Sequence, residues 1–297
     1  MTNFNQHNNC LLCNSKNLKP LKGYEDNWLQ KCNDCQFVFT ARIPTIKELI
    51  DHYSTYGRND YLSPITVKRY HEILDFLEPF RKTNKLIDVG CGIGHFLQIA
   101  NERGWEVYGT EFTDEAIEIC NKKGINMQKG ALDASKYSPE MFDVIVSFEV
   151  IEHIYNPNEE LKNFYDILRK GGGVYVTTPN FNAISRTYLK GNWSVIEYPE
   201  HLSYYTAKTL TNVFKSHGFL KKWIQTTGVS FTRLEATRSM GAEKKKVDLV
   251  SDQTTDEKLR SRIETNPILK AAKTIANFIL NATKKGDSMK GLFVKKQ

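Results

Sequence analysis

Cys10-Leu11-Leu12-Cys13 and Cys32-Asn33-Asp34-Cys35 are two C-x-x-C pairs with 18 residues between them. Thiolates at this spacing close a tetrahedral four-sulfur site, each pair forming one knuckle around Zn2+. Four protein ligands leave no position for water, so the metal is expected to be structural. The residue after each second cysteine is Asn14 or Gln36 where glycine is usual; asparagine tolerates a left-handed backbone well, glutamine less so. A second kind of chemistry is written in Asp88-Val89-Gly90-Cys91-Gly92-Ile93-Gly94. Glycines remove the Cβ that would keep a ligand off the backbone, and a helix start beyond them presents N–H groups. A dinucleotide fingerprint beginning at Gly90 would need glycine at 95, which is His95. Glu111 follows Asp88 by 23 residues, and its carboxylate can accept two hydroxyl hydrogen bonds at once. Two imidazoles could remove a proton from a substrate: His153, in Glu152-His153, and His201, in Tyr198-Pro199-Glu200-His201. A glutamate beside a histidine can orient its ring, so Glu200 is read with His201.

These residues need elements to hold them. Strand patterns at 85–89, 106–110, 125–128, 142–148 and 173–178 alternate with helix patterns at 94–103, 114–123 and 158–168. Such alternation means parallel βαβ units and an open doubly wound α/β sheet, with ligands at the C-terminal ends of its strands. Asp88, Glu111 and His153 all fall there. A helix at 207–217 and strands from 219 and at 291–294 complete the sheet, and 236–288 is read as an insertion before the last strand, since that strand unpaired would be an exposed apolar edge. The expected organisation is a zinc ribbon at 1–40, a helical lead-in at 41–80, a cofactor domain at 81–235, a basic helical insertion at 236–288 and a final strand at 289–297. Tyr53, Tyr56 and Tyr61 lie in the lead-in.

The D-x-G-x-G-x-G loop, with an acid two residues before its first glycine, resembles motif I of the class I S-adenosylmethionine (SAM)-dependent methyltransferases. The resemblance implies their seven-stranded Rossmann-like sheet and puts Glu111 on the ribose hydroxyls. Phe142 to Ile154 is similar to that family's fourth strand and loop, and Leu161 through Gly172-Gly173 to its turn into the fifth. The cofactor set it implies is Asp88, Gly90, Cys91, Gly92, Gly94, Glu111, Phe112, Leu132, Asp133 and Phe148. Where the family usually has an acid directly behind glycine, the chain has Gly130-Ala131-Leu132-Asp133, so Asp133 or backbone would meet the adenine. The similarity spans roughly 60–230 and is to the branch of ubiquinone-type O-methyltransferases and deoxysugar C-methyltransferases. Members of the latter carry a similar N-terminal ribbon and a Y-x-E-H segment, which implies His201, His153, Glu200 and Tyr198 as catalytic residues. They also carry a C-terminal domain that helps hold a nucleotide-sugar, which this sequence is not expected to have.

The composition, 40% hydrophobic and 25% charged, suits a globular enzyme. With 41 Lys and Arg against 34 Asp and Glu, the formal +7 permits an acidic partner without demanding nucleic acid. The ribbon has four lysines against three acids, a poor phosphate footprint, and no N-P-P-Y-like sequence occurs. An RNA methyltransferase is therefore the alternative, and a small-molecule or glycan acceptor, with sugar favoured, the main expectation. A scaffold without activity does not account for loop, acid and histidines together. Residues 240–297 hold 13 basic against 7 acidic residues, and Ile268, Leu269, Ala272, Ile275, Ala276, Ile279 and Leu280 fall on one face of a helix at 267–282. That stretch, 240–285, is expected either to pack on the sheet with solvated lysines or to touch an anionic lipid or lipid-linked glycan. No apolar run of membrane-spanning length and no leader-like start is present, so a cytoplasmic location is expected. Oligomeric state and the atom methylated are open at this stage.

Overall fold

A computed structural model describes residues 5–53, 62–229, 262–263 and 265–296. Tyr56, Tyr61 and 230–261 of the C-terminal insertion lie outside the described residues, as does the side chain of Tyr53. The chain divides into two compact units.

The first unit comprises Met1–Asn59, Pro179–Leu210 and Gln225–Met289. Its N-terminal part is an antiparallel ribbon of β1 (Leu18–Pro20), β2 (Leu29–Cys32) and β3 (Val38–Thr40), followed by α1 (Ile46–Tyr53). The ribbon gains a fourth strand that its own sequence does not contain: β9 (Ser203–Tyr204) pairs antiparallel with β3, Val38 opposite Tyr204 and Phe39 opposite Ser203. So short a ribbon cannot bury a core alone. Tyr24, Leu29 and Val38 pack instead with Phe181, Ala183, Trp193, Val195, Ile196 and Tyr204. The short α6 (Ile184–Leu189) and α8 (Pro267–Thr283) belong to the same unit.

The second unit comprises Asp60–Thr178, Thr211–Ile224 and Lys290–Gln297. It opens with α2 (Pro64–Leu77), whose start is fixed by Pro64 at N1 and by Ser63, whose hydroxyl accepts from the Thr66 amide. Then come β4 (Lys85–Val89), α3 (His95–Glu102), β5 (Glu106–Glu111), α4 (Asp114–Lys122), β6 (Asn126–Lys129), β7 (Phe142–Phe148), α5 (Pro157–Ile167) and β8 (Leu168–Pro179). After α7 (Ala207–Ser216) follow β10 (Phe219–Thr227) and β11 (Ser288–Lys295). The seven strands lie in the order β10-β11-β8-β7-β4-β5-β6, and β6 through β8 are parallel. Lys296 N–H donates to the Gly218 carbonyl at one end of the β10–β11 pair and Asp287 N–H to Gly228 at the other, which runs β11 antiparallel to β10. The expected α/β sheet is thus present, with the insertion placed before the strand that slots between β10 and β8. Its core joins Leu74 and Leu77 of α2, Leu97 and Ala100 of α3, and Leu86, Val107, Val144 and Val146 of the strands.

One boundary differs instructively. The glycines at 171–173 read as a turn into the strand at 173–178, yet β8 already begins at Leu168. Phe142 pairs with Leu168 and Val144 with Gly173, so three extra residues bulge from β8. Gly172 passes so close to β7 that a Cβ there would lie 2.9 Å from the Asp143 carbonyl oxygen. Arg169 bonds the buried Asp143 at 2.5 Å, and the amides of Lys82 and Thr83 donate to the same carboxylate. These partners hold its pKa down against the opposing effect of burial.

Candidate functional site

In the second unit, the loop after β4 and the end of β5 form one cradle. Gly90, Gly92 and Gly94 have φ of 74°, 54° and 74°, the left-handed region that glycine occupies without strain. The Gly90 and Cys91 amides both donate to the Thr110 carbonyl, at 3.1 and 3.0 Å, which ties the loop to β5. At Gly90 a Cβ would strike Val150, and at Gly94 it would strike Ile125 and Cys120. Gly92 is different: nothing lies within 4 Å of where its Cβ would be. The open side of the loop is therefore there.

Glu111 faces that opening with its carboxylate fixed by backbone. Oε2 accepts from Gly92 N–H at 3.1 Å, while Oε1 accepts from Phe112 and Thr113 at 2.7 and 3.2 Å. Each oxygen keeps acceptor capacity for a ligand hydroxyl. Asp88 is 3% exposed, and its Oδ1 is buried with no hydrogen-bond partner among the described residues. Burial, with Cys120 and Glu111 adding to it, raises its pKa well above the usual carboxyl range. A buried acceptor of this kind suits an ammonium group, whose charge would favour the ionised form. Adenosine hydroxyls on Glu111, backbone against Gly92 and an amino acid ammonium near Asp88 together match the donor and acceptor pattern of SAM.

The other expected cofactor residues take different parts. Phe112 stands beside Glu111 with its side chain 68% exposed. The Cys91 sulfur turns inward, 4.0 Å from Met127 Sδ, so this residue offers a ligand backbone rather than thiol. Leu132 is buried, its carbonyl accepting from Asn163. Asp133 Oδ1 accepts from the amide and hydroxyl of Ser135, which lower its pKa. The Phe148 ring packs edge-on to Phe96, 5.0 Å between centroids, and against Tyr70 and Tyr175. Thr110 and Val150, which shape the loop, were not among the expected residues. Thr110 was legible as the neighbour of Glu111; Val150 had no signal of its own.

His153 belongs to this second unit. Its amide donates to Val150, and its Nε2 lies 4.0 Å from Glu152 Oε1. Buried Glu152 accepts through Oε2 from the Thr178 hydroxyl at 2.9 Å.

His201, Glu200 and Tyr198 belong to the first unit. His201 Nδ1 lies 2.5 Å from the Val195 carbonyl; a carbonyl only accepts, so Nδ1 carries the proton and Nε2 is the unprotonated nitrogen of the neutral ring. The carboxylate of Glu200 lies 3.5 Å from His52 Nε2, and the partner of His201 Nδ1 is a backbone carbonyl, which no side-chain motif announces. The His201 carbonyl also accepts from Tyr204 and Thr40 hydroxyls, at 3.1 and 3.4 Å, and the Leu202 carbonyl accepts from the Thr40 amide. Tyr198 follows in a cis Tyr198–Pro199 segment. Its ring and that of Trp28 both lie against the Arg42 guanidinium, 4.6 and 4.7 Å from its carbon, and Arg42 pairs with Glu48. Burial, assisted by Glu48, pushes Tyr198 up to about 12, so it is a protonated hydroxyl at neutral pH.

The four N-terminal cysteines come together in the first unit. Cys10, Cys13, Cys32 and Cys35 have sulfurs all within 4.8 Å of one another, with Cys10–Cys35 at 3.5 Å and Cys13–Cys32 at 3.6 Å. Those spacings exceed a disulfide bond of about 2.05 Å and approach the edge of about 3.8 Å in a tetrahedron with Zn–S bonds of about 2.3 Å. Asn14 and Gln36 adopt φ of 58° and 67°, and their amides return to the Cys10 and Cys32 carbonyls at 3.0 Å. Both knuckles thus share one geometry, including the position where glutamine is less at ease.

Comparison with known proteins bears on the second unit most directly. A methyltransferase domain family model matches residues 62–221. The rat mitochondrial ubiquinone biosynthesis O-methyltransferase is 25% identical over 195 residues, 57% of this chain and 54% of the relative. A ubiquinone biosynthesis O-methyltransferase of Pseudomonas fluorescens is 28% identical over 105 residues, covering 33% and 45%. The chain thus spans about half the length of the curated relatives it matches. Among solved structures, a SAM dependent methyltransferase from Archaeoglobus fulgidus superposes with a TM-score of 0.51 at 15% identity, over 84% of this chain and all of that one. Phosphoethanolamine N-methyltransferase 2 of Haemonchus contortus gives 0.54 at 18%, over 88% and 62%. At such identity these two speak for the fold.

Proposed function

The chain belongs to the class I SAM-dependent methyltransferases, and on that premise we propose that it methylates a small molecule or glycan, a sugar or sugar-derived acceptor being favoured, with His201 as general base. The observation that carries the cofactor half is the Glu111 carboxylate, locked by three amides beside the open face of Gly92. SAM supplies a methyl group on a sulfonium, which leaves by in-line displacement. Asp88, the Gly90–Gly94 backbone and Glu111 would bind and orient it, and Asp133 or backbone beside it would meet the adenine, with Phe112 and Leu132 close in sequence to these residues. His201 Nε2 would take the proton of the acceptor oxygen, nitrogen or carbon as the methyl group is transferred, the electron pair of the broken carbon–sulfur bond remaining on sulfur. The Nδ1–H to Val195 bond supports this by setting the tautomer. His153 and Glu200 complete the proposed catalytic set, and Tyr198, protonated at neutral pH, would serve as a hydroxyl donor.

Small-molecule acceptors are supported by the relatives, which are named for ubiquinone biosynthesis and phosphoethanolamine. The four cysteines would hold Zn2+ as a brace, with all four positions filled by protein. An anionic lipid or lipid-linked glycan would also meet the basic stretch at 240–285, of which 240–261 and 264 lie outside the described residues. A cytoplasmic site of action is part of the same proposal. Incubating methyl-labelled SAM with sugar nucleotides, lipid-linked glycans, quinol precursors and RNA tests it. Label is expected in a sugar-bearing fraction; label in RNA alone would overturn the reading, and label only in quinol precursors would move the acceptor class.

A further inference from the structure

The second unit holds a cavity of about 410 Å³, within the range of about 300–1,000 Å³ in which small molecules bind. It lies at the opposite end of the parallel strands from the cofactor cradle: Lys82 precedes β4, Arg169 and Lys170 open β8, Lys222 sits in the first half of β10, Lys295 ends β11 and Lys296 follows it. These six cations line one cavity, and no carboxylate lines it with them. Two of the six are wall. Arg169 donates through Nε to Asp143 at 2.5 Å and through its other nitrogens to the Phe80 and Lys170 carbonyls. Lys295 is 4% exposed, and its Nζ donates to the Glu140 carboxylate and to the Tyr165 and Leu168 carbonyls at 3.1, 2.8 and 2.9 Å. These bonds take up Asp143 and Glu140 and pin the bulge of β8 and the end of β11. The other four ammoniums, on the exposed Lys82, Lys170, Lys222 and Lys296, have no partner among the described residues. Elsewhere on this unit exposed lysines sit against acids, Lys68 with Glu72, Lys129 with Asp114 and Lys162 with Asp166. Around the cavity that alternation stops, and like charges repel one another there until an anion joins them.

We propose that this cavity binds an oligophosphate, either the di- or triphosphate chain of a nucleotide or the free inorganic chain, with its oxygens on Lys82, Lys170, Lys222 and Lys296. A lone phosphate carries about two negative charges, half of what the four ammoniums can meet, and a chain of two or three phosphates supplies the rest. Half-buried Phe80 and Leu220, 50% exposed, add an apolar wall that would take a base or ribose. An RNA strand fits less well, because its phosphates carry one charge each along an extended backbone while these lysines surround one cavity. Neither SAM nor the methyl acceptor takes part in this binding.

The full-length protein is titrated by calorimetry at low salt with sodium triphosphate, with orthophosphate, with a short single-stranded RNA homopolymer, and with ATP in excess SAM so that the adenosine cradle is filled. Triphosphate is expected to bind about ten-fold or more tighter than orthophosphate, and Lys82→Gln with Lys170→Gln to weaken it by about ten-fold or more, with circular dichroism and SAM affinity unchanged. Lys68→Gln with Lys122→Gln removes the same charge elsewhere on the unit and should weaken it by less than about two-fold. ATP held at least as tightly as triphosphate supports a nucleotide, and ATP held more weakly supports the inorganic chain. No triphosphate binding at millimolar concentration, equal losses in the two double variants, or RNA held tighter than triphosphate and lost with Lys82 and Lys170 would each overturn the inference. Since triphosphate is neither cofactor nor acceptor, failure here leaves methyl transfer standing, and failure of methyl transfer leaves this result standing.

Discussion

At the residue scale, two positions separate binding from chemistry. Gly92 has open space where a side chain would go, so the arginine of Gly92→Arg would fill the cradle, at the cost of the backbone strain any side chain meets at φ 54°, and circular dichroism checks that the variant folds. Calorimetry should show SAM affinity falling by about 100-fold or more; retained affinity would remove the loop from the cofactor site. His201→Ala should lower turnover by about 10²- to 10⁴-fold, the range of a lost general base, with SAM affinity kept. Turnover near wild type in this variant would assign His201 to structure. How readable these residues were from sequence depends on what carries their role. Glu111 and the glycines were legible because side-chain type and φ demand are both local properties. The Val195 carbonyl that sets the His201 tautomer was not, since every residue has a carbonyl and only the fold aims this one. The contact of Glu200 with His52 was not legible either, since His52 lies far from it in sequence and only the fold brings the two together.

At the element scale, the ribbon reaches further than its own strands. Because β3 pairs with β9, two residues beyond His201, the proposed zinc site would brace the segment that holds the proposed base. Cys13→Ser is expected to lower bound zinc from about one per chain to near none and to lower the thermal midpoint by several degrees. Turnover should fall with it and SAM affinity stay; full zinc content in the variant would contradict the four-cysteine site. In α5, Glu160 is 6% exposed with Oε1 lacking a hydrogen-bond partner among the described residues, and burial, then Glu159, pushes it up to about 8. Its folded pKa lies above the unfolded value of about 4.3, so the folded state binds the extra proton. This group's penalty is absent at low pH and grows as pH rises from about 4.3 to about 8. Glu160→Gln should therefore gain about 1–3 kcal/mol in urea unfolding at pH 8 and much less at pH 5. A gain that does not grow with pH would refute the burial argument. The periodic elements were legible, while β9 was not: two residues carry no period, and only pairing with β3 makes them a strand.

At the scale of the whole molecule, the chain order and the division into units diverge. The first unit draws on three separate stretches and so does the second, a division no composition shift announces because Pro179 and Ile224–Gln225 fall within strands. The α/β sheet was legible because each βαβ unit is contiguous and its handed connection leaves few alternatives. The direction in which α8 faces, with Ile268 and Phe278 left exposed, was not, because periodicity finds an apolar face without telling which side the protein takes. The methyl-transfer proposal depends on one binding event. Titrating SAM into the purified full-length protein by calorimetry, beside Glu111→Ala, tests it most directly. One molecule per chain should bind the wild type, with affinity at least about ten-fold weaker in the variant, as expected for two lost charge-assisted hydroxyl bonds. No binding to the wild type, or equal binding to both, would contradict the account.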